Sequence, residues 1–220
     1  MKESYFIPDT IAATAAEMRR QAQDLAAHRP LAFQAQRSAL LVLDMQRYFL
    51  DPDSHAYIPS AAAIIPGLAA LTAAYRQRNL PMFYTRHENT AQDAGMMSAW
   101  WRDLIQPGDP LSLITPELRA ETGQIIVKSQ YDAFLNTDLE QRLRQAGVEQ
   151  VLIGGVMTHL CCETTARSAF MRGFAVFCLV DGMATYTAAF HQAALLNLAH
   201  GFSTLLLVDE ARQALAVNMP

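Results

Sequence analysis

Residues 150–180 read QVLIGGVMTHLCCETTARSAFMRGFAVFCLV, and this stretch decides the fold. Gln150–Gly154 is a short apolar run. After a turn, the residues from about Cys161 to Arg172 carry helical spacing that stops at Gly173, and Phe174–Val180 is a second apolar run. Strand, helix, glycine stop and strand within about thirty residues make a βαβ unit. Strands that are apolar throughout, rather than alternating, indicate burial on both faces of a sheet.

The same grammar extends in both directions. Upstream, Ala39–Asp44 (ALLVLD) reads as a buried strand, followed by helical spacing over Ser60–Arg78 that ends at Asn79, a residue suited to a left-handed cap. Pro81–Thr85 and Gln124–Lys128 are further strands, and a helix near Asp138–Gln145 stops at Gly147. Downstream, a helix from about Ala188 to Ala199 stops at Gly201, and Ser203–Val208 closes the series. Six such strands with helices between them predict an α/β three-layer α/β/α sandwich around a parallel sheet with right-handed crossovers. The chain shows no internal repeat, low-complexity tract or linker, so residues 37–220 are expected to form one domain. Residues 1–36 form an N-terminal helical extension. Its helix is capped by Asp9 or Thr10, runs to about Ala27, and packs on the domain or on a neighbouring subunit. Leu50–Pro59 reads as a loop above the first strand. Arg86–Ile114, with Met96, Met97, Trp100 and Trp101, reads as an excursion around a short helix, the kind of element that covers a substrate.

Composition narrows the class. The 220 residues are 51% hydrophobic, enough for a sizeable core, and a net charge of -4 without a basic cluster argues against a nucleic-acid partner. The apolar runs are too short and broken to span a membrane, and Met1–Pro8 lacks the apolar centre of a signal peptide. A cytoplasmic protein acting on a small molecule is the expectation. The three cysteines, Cys161, Cys162 and Cys178, do not make a disulfide framework. Each is either a buried small hydrophobe or a reactive group.

Ligands of open parallel sheets bind beyond the carboxyl ends of the strands. The first strand ends in Asp44, the third in Lys128, and the fourth runs through Thr158 and His159 to Cys161. Arg86 and His87 follow the second strand on the same rim. At the start of a helix, Cys161 would sit at the positive end of the macrodipole, which together with a nearby Lys lowers a thiol's pKa. A carboxylate, an amine and a thiol can therefore converge on one pocket. Taken singly, each has a plainer role: Cys161 as core, Asp44 as a helix cap, Lys128 as a solvated end, and Cys162 and Cys178 as buried apolar residues.

Three ordered motifs resemble those of the isochorismatase-like hydrolases. LLVLDMQRYF carries the D-x-Q strand end as Asp44 and Gln46; IIVKSQYDAF carries the Lys strand end as Lys128 with Tyr131 and Phe134; GGVMTHLCCETTARSAFMRGF matches the nucleophile turn with Cys161 in the catalytic place. The resemblance runs from about Arg37 to Ala216. It implies a six-stranded sheet in the order 3-2-1-4-5-6 and a catalytic set of Asp44, Lys128 and Cys161. It also implies a cis peptide between Val156 and Met157 that turns the Met157 and Cys161 N–H groups toward an oxyanion.

The resemblance also divides the possible chemistries. Isochorismatases of the family cleave a vinyl ether with the carboxylate as general acid and have Gly where this chain has Cys161. The family's amidases keep the Cys and pass through a thioester. Cys161 therefore favours hydrolysis of a C–N bond in a small amide or ureido compound. Vinyl ether hydrolysis by Asp44 is the alternative, and a non-catalytic binding protein on the same fold is the second alternative. Nicotinamidases of the family hold a divalent ion through Asp-x-His and a further His, a pattern that TRHENTAQDAG (85–95) does not supply. Asp51, Asp53 and His55 also lack convincing spacing, so no metal and no cofactor is expected, and nicotinamide is disfavoured as the substrate. Arg86, with Gln46 and Tyr131, is the expected grip on a substrate carboxylate. Trp100 is the expected lid, and Thr158 and His159 are expected substrate contacts. The Met- and Trp-rich excursion, the N-terminal helix and the habits of the family point to a homo-oligomer.

Overall fold

A computed structural model describes residues 1–24 and 31–216. Its centre is a six-stranded parallel sheet in the order β3-β2-β1-β4-β5-β6, where β1 is Ser38–Leu43, β2 Met82–His87, β3 Gln124–Lys128, β4 Gln150–Val156, β5 Ala175–Ala184 and β6 Thr204–Leu206. The expected order and parallel sense are both present.

The centre of the sheet is β1 and β4, buried at every residue. Their register is continuous from Ser38 beside Gln150 to Leu43 beside Gly155. Burying a Leu side chain such as Leu40, Leu41 or Leu43 is worth about 1.5–3 kcal/mol relative to exposure, so this pair anchors the core. From this pair the chain winds both ways. Crossovers run from β1 through α3 (Ala61–Gln77) to β2, and from β4 through α6 (Glu163–Met171) to β5. They travel in opposite directions, so the right-handed rule sets α3 and α6 on opposite faces. Asn79 takes the left-handed conformation at φ 51 and ends the α3 connection, as its side chain suggested.

The remaining helices are α1 (Ile11–Gln23), α2 (Arg47–Leu50), α4 (Met97–Trp100), α5 (Leu139–Gln145), α7 (Ala188–Gly201) and α8 (Val208–Ala216). The expected end of α1 near Ala27 lies outside the described residues. Ala15 and Ala22, two turns apart on α1, are fully buried, and α1 packs on α7 and β5 of its own chain. Arg19 of α1 also pairs with Glu210 of α8.

Two expectations change. The strand expected over Ser203–Val208 is only Thr204–Leu206, because Val208 opens α8, an unanticipated helix whose first N–H is capped by the Asp181 carboxylate. Burial on both faces also fails for β3, where Gln124, Ile125 and Val127 are exposed. An edge strand has one neighbour, and its apolar residues need not be covered.

Candidate active site

At the carboxyl end of β1 the chain leaves the sheet through Asp44, whose left-handed φ of 50 turns its carboxylate back toward β2 and β3. Asp tolerates that conformation better than most residues. Thr85 of β2 locks it there: the Asp44 N–H donates to Thr85 Oγ1 at 3.0 Å, and the Thr85 hydroxyl donates to Asp44 Oδ1 at 2.6 Å. The other oxygen, Oδ2, lies 2.8 Å from Lys128 Nζ, and both side chains are fully buried.

Lys128 is placed by register, since it stands beside His87 in the β2–β3 pairing. Its ammonium also donates to the Gln130 carbonyl at 2.8 Å and lies 3.4 Å from His87 Nδ1 and 3.5 Å from Cys161 Sγ. The Cys161 thiol also faces Asp44, and each group bears on the other's ionisation. Carboxylate and thiol thus both stand against the one ammonium.

Beyond β4, the Val156–Met157 peptide is cis, as the resemblance implied, and residues Thr158–Cys162 form a π-turn leading into α6. Such insertions are frequent at functional sites. The turn lies directly beyond Gly155, whose φ of 115 and contact with β1 admit no side chain: a Cβ there would stand 2.1 Å from the Leu43 carbonyl oxygen.

Burial governs the protonation of the group. Burial opposes ionisation of Asp44, but the Lys128 charge outweighs it and holds the carboxyl below its usual range. Burial likewise disfavours the Lys128 ammonium, and Asp44 more than compensates, so its pKa is raised. The expected activation of Cys161 is reversed. Burial, reinforced by Asp44 and only partly offset by Lys128, pushes the thiol up to about 12. Sitting within the π-turn rather than at a free helix terminus, this sulfur is held as a thiol beside a ready carboxylate. His87 is pushed down to about 4 by burial and by Lys128, so the imidazole is neutral.

Cys161, 7% exposed, opens onto a cavity of about 160 Å³. A hole of about 150 Å³ is enough to hold a benzene ring. The walls are mainly apolar and aromatic, with Tyr48, Phe49, Trp101, Tyr131 and Tyr186 among them, and His55, His87 and Asn89 supply polar edges. The Asn89 amide donates to the Ser129 carbonyl at 2.8 Å, which leaves its Oδ1 to accept from His87 Nε2 at 2.7 Å. His87 therefore presents the Nδ1 lone pair to Lys128.

Of the expected substrate contacts, Tyr131 lines this cavity and five others do not. Gln46 is fully buried and bolts two segments together, taking the His87 N–H and donating to the carbonyls of His87 and Ser112. Arg86 points to the other face of β2, as alternation requires between Thr85 and His87, and pairs with Glu88 at 2.9 Å. Thr158 is buried against His191 Nδ1 at 2.9 Å, and His159 bonds Thr185 at 2.7 Å while stacking on Phe190. Trp100 is 74% exposed; its neighbour Trp101 takes the wall and donates to the Tyr131 hydroxyl at 2.7 Å. Cys162 and Cys178 are fully buried.

The isochorismatase-domain model matches residues 38–210. The chain belongs to the isochorismatase family. Relatives in this family include Nicotinamidase 3 of Arabidopsis thaliana, 39% identical over 82% of this chain and 90% of that protein. Component B of enterobactin synthase from Escherichia coli K12 is 31% identical over 81% of this chain, which spans only 64% of that protein's length. A cysteine hydrolase from Pseudomonas syringae pv. phaseolicola superposes with a TM-score of 0.82 at 26% identity, covering 87% of this chain and 99% of that one. This isochorismatase-family protein is a hydrolase. Among the described residues no helix is long and apolar enough to cross a membrane.

The divalent ion of nicotinamidases does not fit these residues. Among the described residues no three His, Cys, Asp or Glu side chains are placed to hold a metal ion, and the trio Asp44, His87 and Cys161 surrounds the Lys128 ammonium instead. Near the cavity, His55 has one ring nitrogen 3.4 Å from Asp103 and the other 3.2 Å from the Tyr48 hydroxyl, while Asp51 faces Arg47.

Proposed function

We propose that this hydrolase cleaves the C–N bond of a small, ring-sized amide through a thioester on Cys161. The observation that carries the reading is a thiol 3.5 Å from the ammonium of a buried Asp44–Lys128 ion pair, at the floor of a ring-sized apolar cavity. Asp44 accepts the thiol proton as sulfur attacks the carbonyl carbon, so the thiolate forms only as it is consumed. The negative charge that develops on oxygen falls to the backbone N–H groups of Met157 and Cys161, a role supported by both residues lining the cavity. Asp44 then returns the proton to the departing amine, and water releases the carboxylic acid. Lys128 keeps Asp44 ionised and His87 keeps Lys128 aimed.

The nicotinamidase relative supports amide chemistry and places nicotinamide in the assay panel beside benzamide and ureido compounds. In Cys161→Ala, amide turnover should fall by at least about 10³-fold, with no acyl adduct in the intact mass spectrum. Unchanged turnover would remove the mechanism. Because burial pushes His87 down to about 4, it should contribute no inflection near 6.5 to the kcat/KM profile, and His87→Asn should leave the profile's shape there unchanged.

A second reading is vinyl ether hydrolysis with Asp44 as general acid, supported by the isochorismatase-domain match and by a thiol held in its unreactive form. Isochorismate turnover surviving Cys161→Ala and lost in Asp44→Asn would select it.

A further inference from the structure

Residues 2–6 lie outside the stretch matched by the family domain, yet they touch the cavity wall from behind at two separate places. His55 and Ala56 belong to one rim segment, and Tyr186 to another. The Lys2 ammonium donates to the His55 carbonyl and at the same time stands 4.7 Å over the Tyr186 ring. One side chain therefore bridges both segments.

Glu3 repeats the arrangement with its backbone and its carboxylate. Its N–H donates to the Tyr186 carbonyl at 2.8 Å, its carbonyl accepts from Ser60 Oγ at 3.1 Å, and its carboxylate accepts from the Ala188 N–H at 2.9 Å. Ser60 Oγ also accepts from the Phe6 N–H at 3.1 Å, and the Tyr5 hydroxyl accepts from the Thr185 N–H at 2.9 Å. Phe6, 1% exposed, plugs the segment into the core against His191. These partners lie in turns and at a helix start, not within the sheet, so sheet pairing does not fix their positions.

We propose that residues 2–6 are a positioning clasp that sets the shape of the substrate cavity by tying the His55 and Tyr186 rim segments to one another. Lys2 and Glu3 are its positioning residues, acting through His55 and Tyr186 without touching substrate. The proposal rests on the cavity being the substrate site. A rim so held favours one ring-sized ligand over larger or smaller ones, and loosening it costs binding more than chemistry.

The test compares full-length wild type with Lys2→Ala/Glu3→Ala by hydrogen exchange and by benzamide kinetics. Exchange should rise several-fold in peptides covering residues 54–60 and 184–188, while β1 and β4 stay protected. KM for benzamide should rise about tenfold with kcat within about twofold, the signature of lost uniform binding. Lys2→Arg, which keeps the cation over Tyr186, should behave as wild type. Faster exchange confined to residues 1–8, or an unchanged KM, would overturn the clasp. If the wild type turns over no amide, the proposed chemistry fails separately, and the exchange pattern still decides the clasp.

Discussion

Strands β1 and β3 each end in one half of the same buried ion pair, Asp44 and Lys128, but they approach it through opposite surroundings. β1 is buried at all six residues and sits between two neighbours. β3 is an edge strand with three of its five residues exposed, and only Ile126 and Lys128, two apart on one face, are buried. Alternation turns Lys128 to the same side as Ile126, and the rest of its burial is supplied beyond the strand. It comes from what closes over the strand end: Asp44, His87, the Gln130 carbonyl and the Cys161 sulfur. A charge can be built into a dry site from a wet strand, provided that its partners arrive from elsewhere.

The largest effect should come from the central pair. Gly155→Ala puts a Cβ against the Leu43 backbone in a left-handed conformation, and we expect a loss of at least about 4 kcal/mol or failure to fold. Urea denaturation reads it, and a loss below about 1 kcal/mol would mean that β1 and β4 can separate as an edge strand would. Next comes the ion pair itself. Asp44→Ala leaves a buried ammonium unpaired and Lys128→Ala a buried carboxylate, so each should cost about 3–5 kcal/mol, with the double variant costing less than the sum. If the edge position of β3 lets water reach the ammonium, Asp44→Ala will cost far less than Lys128→Ala. The smallest effect belongs to the outer face of β3. Ile125→Thr should change stability by no more than about 0.5 kcal/mol, and a larger loss would show that this face is covered in solution.

The same contrast separates what the sequence determined from what only the fold decided. Apolar runs, glycine stops and the D-x-Q, Lys and Cys motifs were local, and local patterns suffice to find six strands and to put Asp44 and Lys128 at strand ends and Cys161 in the turn after the fourth. The strand order was implied only by the resemblance to a known family. Tyr131 was legible for the same reason. Thr85 went unnoticed although strand alternation sets it on the same face as His87, and that period-two signal could have found it; it also turns Arg86 away from the cavity. Asn89 and Trp101 carried no such signal, because they come from an irregular excursion whose path is set by contacts with Ser129 and Tyr131, distant in sequence. The height of the Cys161 pKa was equally out of reach: it depends on how much water the assembled site excludes, and desolvation is a property of the packed volume, not of any one residue. The clasp formed by residues 2–6 is the extreme case, since nothing in KESYF foretells that its partners are His55, Ser60 and Tyr186. Sequence fixes period and chemistry within a segment, whereas the meeting of distant segments is decided only when the chain closes on itself.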